Sequence, residues 1–141
     1  MTKIQLISND IKTLEEICSN LRQELEDIYW DNEQVFWDEY LCGACGVAAY
    51  TLTQRLIRLG YDAKFCWNSW DGHCFTEIDG YILDVTATQY GAEPICIIPI
   101  DEICQSFWEK YIHVDIDDID DIFDGWPYHE HPKFAEDLCL L

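Results

Sequence analysis

The chain has 141 residues, 49% apolar and 14% aromatic, and its 28 acidic against 8 basic residues give a formal charge of −20. A chain of this length buries roughly 70% of its unfolded surface, so one domain with its own core is expected and disorder is excluded. The charge repels nucleic acid and anionic membrane surfaces and attracts basic partners.

No apolar run approaches the roughly 20 residues that span a bilayer. The opening MTKIQLISNDIK lacks the apolar stretch of an export signal. The expectation is a protein that is cytoplasmic where it is made. Delivery to another cell by a different route is left open. Without export, the eight cysteines read mostly as buried free thiols rather than a disulfide framework.

In chain order, residues 8–30 read as an amphipathic helix, with Ile11, Leu14, Cys18, Leu21, Leu25 and Ile28 at helical spacing. Ser8, Asn9 or Asp10 offers a side-chain oxygen to cap its start. A connection, DNEQVFWDEYL, leads to CGACGVAAYTL, where a second helix starts near Cys45. Cys45, Ala48, Ala49, Leu52, Leu56 and Leu59 form its apolar face, and Gly60 is its stop. YDAKFCW reads as a strand and NSWDG as a turn. HCFTEI and YILDVT are strands joined by Asp79-Gly80, a strong hairpin signal. ICIIPI is a short buried strand, and IDEICQSFWEKYI is expected to add a helix. The whole is expected as one α+β domain: the helix at 8–30, a core at 40–112 and an acidic segment at 113–141.

DIDDIDDIFDGW tempts a calcium reading, but with Gly125 at the sixth position of an EF-hand loop the third is Ile122 and the twelfth His131. Ile116, Ile119, Phe123 and Trp126 instead form one apolar stripe of a solvated acidic helix or docking segment. PYHEHP reads as a surface loop.

The hairpin carries the chemistry. A two-residue Asp79-Gly80 loop pairs Ile78 with Tyr81, and alternation then puts His73, Phe75, Glu77, Ile82, Asp84 and Thr86 on one face. His73 and Asp84 become diagonal neighbours, with Cα atoms roughly 7–8 Å apart, within reach of a carboxylate–imidazole bond. Such a carboxylate orients the ring and favours its charged form, leaving the second nitrogen for a third group. Cys45 is the candidate, because a helix N-terminus favours thiolate over thiol. Gly43 and Gly46 leave room for a substrate backbone, and the Cys45 N–H is an oxyanion donor.

Other readings of these residues stand beside this one. Cys45 on an apolar helix face is also a core position, and His73 and Asp84 are also strand-end residues. CGAC has the spacing of a redox pair, and Cys42 and Cys45 could form a reversible disulfide that silences the nucleophile. A zinc site drawing on Cys42, Cys45, Cys66 or Cys74 with His73 lacks a second tight ligand pair. No metal and no cofactor are expected. Glu77 is either an influence on substrate charge or a solvated strand residue. Trp67 and Trp70 either wall a groove or belong to the core.

Gly43-Ala44-Cys45-Gly46-Val47-Ala48-Ala49, the strand–turn–strand from His73 to Asp84, and Asp84-Val85-Thr86-Ala87-Thr88-Gln89 together resemble the papain-like and transglutaminase-like cysteine enzymes, in particular small bacterial papain-fold toxins and effectors. The likeness covers roughly residues 40–91. It implies a nucleophile helix packed on a small antiparallel sheet, with Cys45 as nucleophile, His73 as general base and acid, and Asp84 as the orienting group. It implies a thioester, resolved by water as in a protease or deamidase, or by an amine as in a cross-linking enzyme. Hydrolysis is favoured, on a protein or peptide substrate, since nothing identifies an amine site. Papain-like enzymes carry an oxyanion glutamine six residues before the nucleophile. Here that residue is Glu39, so Gln34, Trp37 and Gln89 are the candidate replacements. The rival is a non-enzymatic acidic binder, such as an inhibitor or immunity protein.

Overall fold

The computed structural model describes residues 8–31 and 45–118. Two α-helices, α1 (Ser8–Asp31) and α2 (Cys45–Arg58), precede a five-stranded antiparallel sheet. Its strands are β1 (Ala63–Asn68), β2 (His73–Ile78), β3 (Tyr81–Asp84), β4 (Cys96–Pro99) and β5 (Ile112–Val114), in the order β4-β3-β2-β1-β5.

The apolar stripe of α1 buries Leu14, Cys18, Leu21 and Leu25 completely, against Val47, Ala48, Leu52 and Leu56 of α2. Each such leucine contributes about 1.5–3 kcal/mol by leaving water. One cation interrupts the stripe: Arg22 is only 7% exposed. Its guanidinium donates to the Val85 carbonyl at 2.8 Å and to Thr88 Oγ1 at 2.9 Å, tying α1 to the chain that follows β3.

α2 ends in a Schellman motif. Gly60 takes φ +95°, its N–H meets the Ile57 carbonyl at 3.0 Å, and Tyr61 N–H meets the Leu56 carbonyl at 3.0 Å. Leu59 lies beyond the helix and is 61% exposed, so it does not continue the apolar face expected of it. Polar contacts fix α2 on β2: Thr53 Oγ1 bonds Thr76 Oγ1 at 3.0 Å, and Thr76 reaches the Ala49 carbonyl at 3.4 Å.

Asp79 and Gly80 both take positive φ, at +47° and +84°, as a type I′ hairpin turn requires. The register follows, with Ile78 opposite Tyr81, Glu77 opposite Ile82 and Thr76 opposite Leu83. One sheet face, through Ala63, Ile78 and Leu83, packs on the helices. The other carries Cys66, Phe75 and Ile82 against Phe107 and Trp108.

The segment expected to form a helix after β4 does not. It breaks into short 3-10 turns at Ile100–Glu102 and Ser106–Trp108, and its end pairs with β1 as strand β5. Ile103 and Gln105 are extended, which interrupts helical hydrogen bonding and lets Phe107 and Trp108 cover the sheet. The segment expected to be acidic from residue 113 opens inside β5, and a 3-10 turn at Ile116–Asp118 follows. The remainder of the expected acidic helix, PYHEHP, the connection holding Gln34, Trp37, Glu39 and Cys42, and Gly43 lie outside the described residues.

Candidate functional site

His73 opens β2 and Asp84 closes β3, and the hairpin register sets them on one face. His73 is 0% exposed and Asp84 2%. The imidazole Nε2 lies 2.6 Å from Asp84 Oδ2. An ionised buried carboxylate is costly unless its lone pairs are filled. Here Trp108 Nε1–H donates to Oδ2 at 2.8 Å, Thr86 N–H to Oδ1 at 2.9 Å, and Thr86 Oγ1 to Oδ1 at 3.4 Å. Asp84 thus accepts, which leaves the proton on His73 Nε2 and makes Nδ1 the free nitrogen of the neutral ring.

Asn68 brings Trp108 to this point. Its Oδ1 accepts from the N–H groups of Trp70 and Asp71, closing the turn between β1 and β2. Its Nδ2 donates to the carbonyls of Phe107 and Ser106 at 3.1 and 3.3 Å. The His73 ring is enclosed edge-on by Phe107 and Tyr90, whose own rings stack with centroids 4.5 Å apart.

Gln89 directs Nε2 toward His73 Nδ1 at 3.5 Å. Cys45, the first residue of α2, is partly exposed. Its thiol donates to the Gly72 carbonyl at 3.8 Å, beside the start of β2. The first turn of α2 holds no carboxylate and its last holds Arg55 and Arg58, so the helix presents its positive end to that sulfur.

Burial penalises the charged His73 ring, but the charge and hydrogen bond of Asp84, with smaller contributions from Cys45, override it and push the ring up to about 10. The hydrogen bond of the Cys74 thiol draws Cys45 well below the ordinary thiol range. Burial opposes this, and His73 adds to it. Cys74 moves the opposite way, through burial and then through its bond to Cys45. Burial pushes two further thiols up, Cys18 to about 12 and Cys96 to about 11, in each case with help from the Asp84 charge.

The residues singled out in the sequence are therefore distributed unevenly. His73 and Asp84 are bonded and Gln89 faces the free ring nitrogen. The hydrogen bond of the Cys45 thiol goes to the Gly72 carbonyl, one residue before His73, and none joins it to the imidazole. Gln34 and Trp37 lie outside the described residues. Trp67 packs against the cluster that holds Phe65 and Cys74, whereas Trp70 is 82% exposed. Trp108 and Cys74 were not foreseen as parts of this site, nor Arg22 as the residue that ties α1 to the chain following β3. The signal for Arg22 was a cation on an otherwise apolar stripe.

No family model matches the chain, no curated protein matches it, and no solved structure matches it. The reading of the site rests on its own chemistry.

Proposed function

We propose that this chain is a cysteine-dependent hydrolase acting on a peptide bond or a glutamine side-chain amide. The observation that carries the reading is the buried His73–Asp84 pair, bonded at 2.6 Å with Gln89 turned toward the second ring nitrogen, and a helix-start thiol at Cys45 that reaches the carbonyl of Gly72, the residue before His73. The thiol drawn down at Cys45 and the imidazole pushed up at His73 agree with it. A thiolate–imidazolium pair is the activated form of a cysteine nucleophile.

In this mechanism the Cys45 sulfur attacks the carbonyl carbon, forming a C–S bond as the carbonyl π pair moves to oxygen. The C–N bond then breaks, and His73 Nδ1 gives its proton to the departing amine or ammonia. Water next attacks the thioester, His73 takes the water's proton, and the C–S bond breaks to release a carboxylic acid. Asp84 holds Nε2–H throughout and keeps Nδ1 as the exchanging nitrogen. Gln89 has a second part. Its amide N–H can donate to a neutral Nδ1 but not to a protonated one. Formation of the ion pair frees that amide to donate to a developing oxyanion.

The charge of −20 favours a second reading, a non-enzymatic acidic binder of a basic protein. Incubation with candidate basic proteins and glutamine-containing peptides, followed by intact-mass measurement, separates them. Deamidation adds about one dalton, proteolysis yields fragments, and cross-linking joins chains with loss of ammonia. Each must vanish in Cys45→Ser. A stable complex with unchanged masses, equally tight for Cys45→Ser, supports the binder and overturns the hydrolase.

A further inference from the structure

The sheet face that carries His73 also carries, farther along, a second cluster outside that site. Cys66 of β1 lies directly opposite His113 of β5, and Glu77 of β2 is opposite Lys64, so Cys66 and Glu77 are diagonal neighbours. The Cys66 sulfur, a Glu77 carboxylate oxygen and a His113 ring nitrogen all lie within 4.8 Å of one another. Glu77 Oε2 and His113 Nε2 are 2.5 Å apart. The other carboxylate oxygen, Oε1, accepts from Tyr111 Oη–H at 3.3 Å, which turns Oε2 toward the histidine.

We propose that Cys66, Glu77 and His113 form a zinc site with an open fourth position. A sulfur, a nitrogen and an oxygen from three adjacent strands match the ligand types zinc takes. Bonds of about 2.0–2.3 Å in a tetrahedron hold ligand atoms about 3.3–3.8 Å apart, so the cluster needs only side-chain adjustment. Binding releases the Cys66 thiol proton to solvent, so that the thiolate takes the ion, and the partly exposed Glu77 and His113 side chains supply the movement while Cys66 stays fixed in the core. Tyr111 is a positioning residue, of the kind that fixes a ligating carboxylate from behind. The fourth position faces a cavity of about 480 Å³, which Glu77 and His113 line together with Ile100, Ile103, Trp108 and Glu109. Three protein ligands beside such a cavity leave room for water or for a small ligand with an oxygen donor.

Cobalt(II) titration of the full chain tests the site, because a thiolate ligand gives a near-ultraviolet charge-transfer band and tetrahedral cobalt gives intense visible bands. The Cys45→Ser background removes the competing reactive thiol. About one equivalent of cobalt is expected to bind with both signatures and to be displaced by zinc. Cys66→Ser removes the charge-transfer band, and Glu77→Gln and His113→Ala each weaken binding at least about tenfold. His113 is half exposed, so His113→Ala decides the matter if Cys66→Ser fails to fold. Tyr111→Phe weakens binding without abolishing either band, and His73→Ala leaves the titration unchanged. No binding, or a cobalt spectrum unaltered in His113→Ala and Glu77→Gln, overturns the site whatever the outcome at Cys45.

Discussion

Trp108 donates its indole N–H to the same Asp84 oxygen that engages His73, at 2.8 Å against 2.6 Å. The two donors come from opposite sides of the chain's sequence logic: one from the hairpin, the other from a turn 24 residues downstream. Together with Thr86 they surround a buried carboxylate in a site where a single missing donor is expensive.

Trp108→Phe keeps the aromatic packing and removes that donor. It is expected to cost about 1–3 kcal/mol of stability in chemical denaturation. If Asp84 is the group that charges His73, the same variant also loosens the ring's orientation and slows Cys45 alkylation at neutral pH. A stability loss with no change in Cys45 reactivity would restrict Trp108 to packing.

Arg22 and Arg55 offer a contrast in salt bridges. Arg22 is buried and donates to Val85 and Thr88 as well as Glu26, whereas the Arg55–Glu24 pair is partly exposed. Arg22→Met leaves a buried carbonyl without its donor and is expected to destabilise by about 2–3 kcal/mol. Arg55→Ala is expected to cost under about 1 kcal/mol. Thermal melts of the two variants check the order, and a larger effect at Arg55 contradicts it.

Cys74 is expected to act on the nucleophile from the sheet face that α2 covers, opposite the face of His73. Its thiol is the foremost cause of the lowered Cys45 value. Cys74→Ala therefore shifts the pH midpoint of Cys45 alkylation upward while leaving His73 bonded to Asp84. An unchanged midpoint shows that Cys74 only fills space.

The folding stability should carry the sign of both shifts. His73 is raised from 6.5 to about 10, so its contribution is complete below pH 6.5 and is lost as pH rises through about 10. Cys45 is lowered from 9.0, so its contribution is complete above that value and is lost as pH falls through its depressed one. Urea unfolding across pH, wild type against His73→Gln, should show the alkaline loss only in the wild type. Parallel curves contradict the charged-ring assignment.

The hairpin register was legible because Asp79-Gly80 admits one short loop, and alternation then assigns every face. The stripes of α1 and α2 were legible for the same reason of periodicity. Trp108 and Arg22 were not, because their partners are fixed by contacts 24 and 63 residues distant. The misreading after β4 has a physical cause. Ile103, Phe107, Trp108 and Tyr111 have helical spacing, yet extended backbone at Ile103 and Gln105 turns them onto the sheet, and β5 gains hydrogen bonds from β1. Without β5 the proximity of His113 to Cys66 was invisible. Alternation sets Cys74 on the face opposite His73, but gives no hint that its thiol bears on a sulfur at the start of α2.

The pairing of Cys45 with His73 is tested most directly by the pH dependence of iodoacetamide alkylation, read residue by residue from peptide masses. Cys45 is expected to react selectively near neutral pH, with a midpoint well below the ordinary thiol range of about 8.5. In His73→Gln and His73→Ala that midpoint should move up, while buried Cys18 and Cys96 stay silent in every case. A Cys45 that titrates like a free thiol, with the same midpoint in the wild type and both His73 variants, contradicts the account.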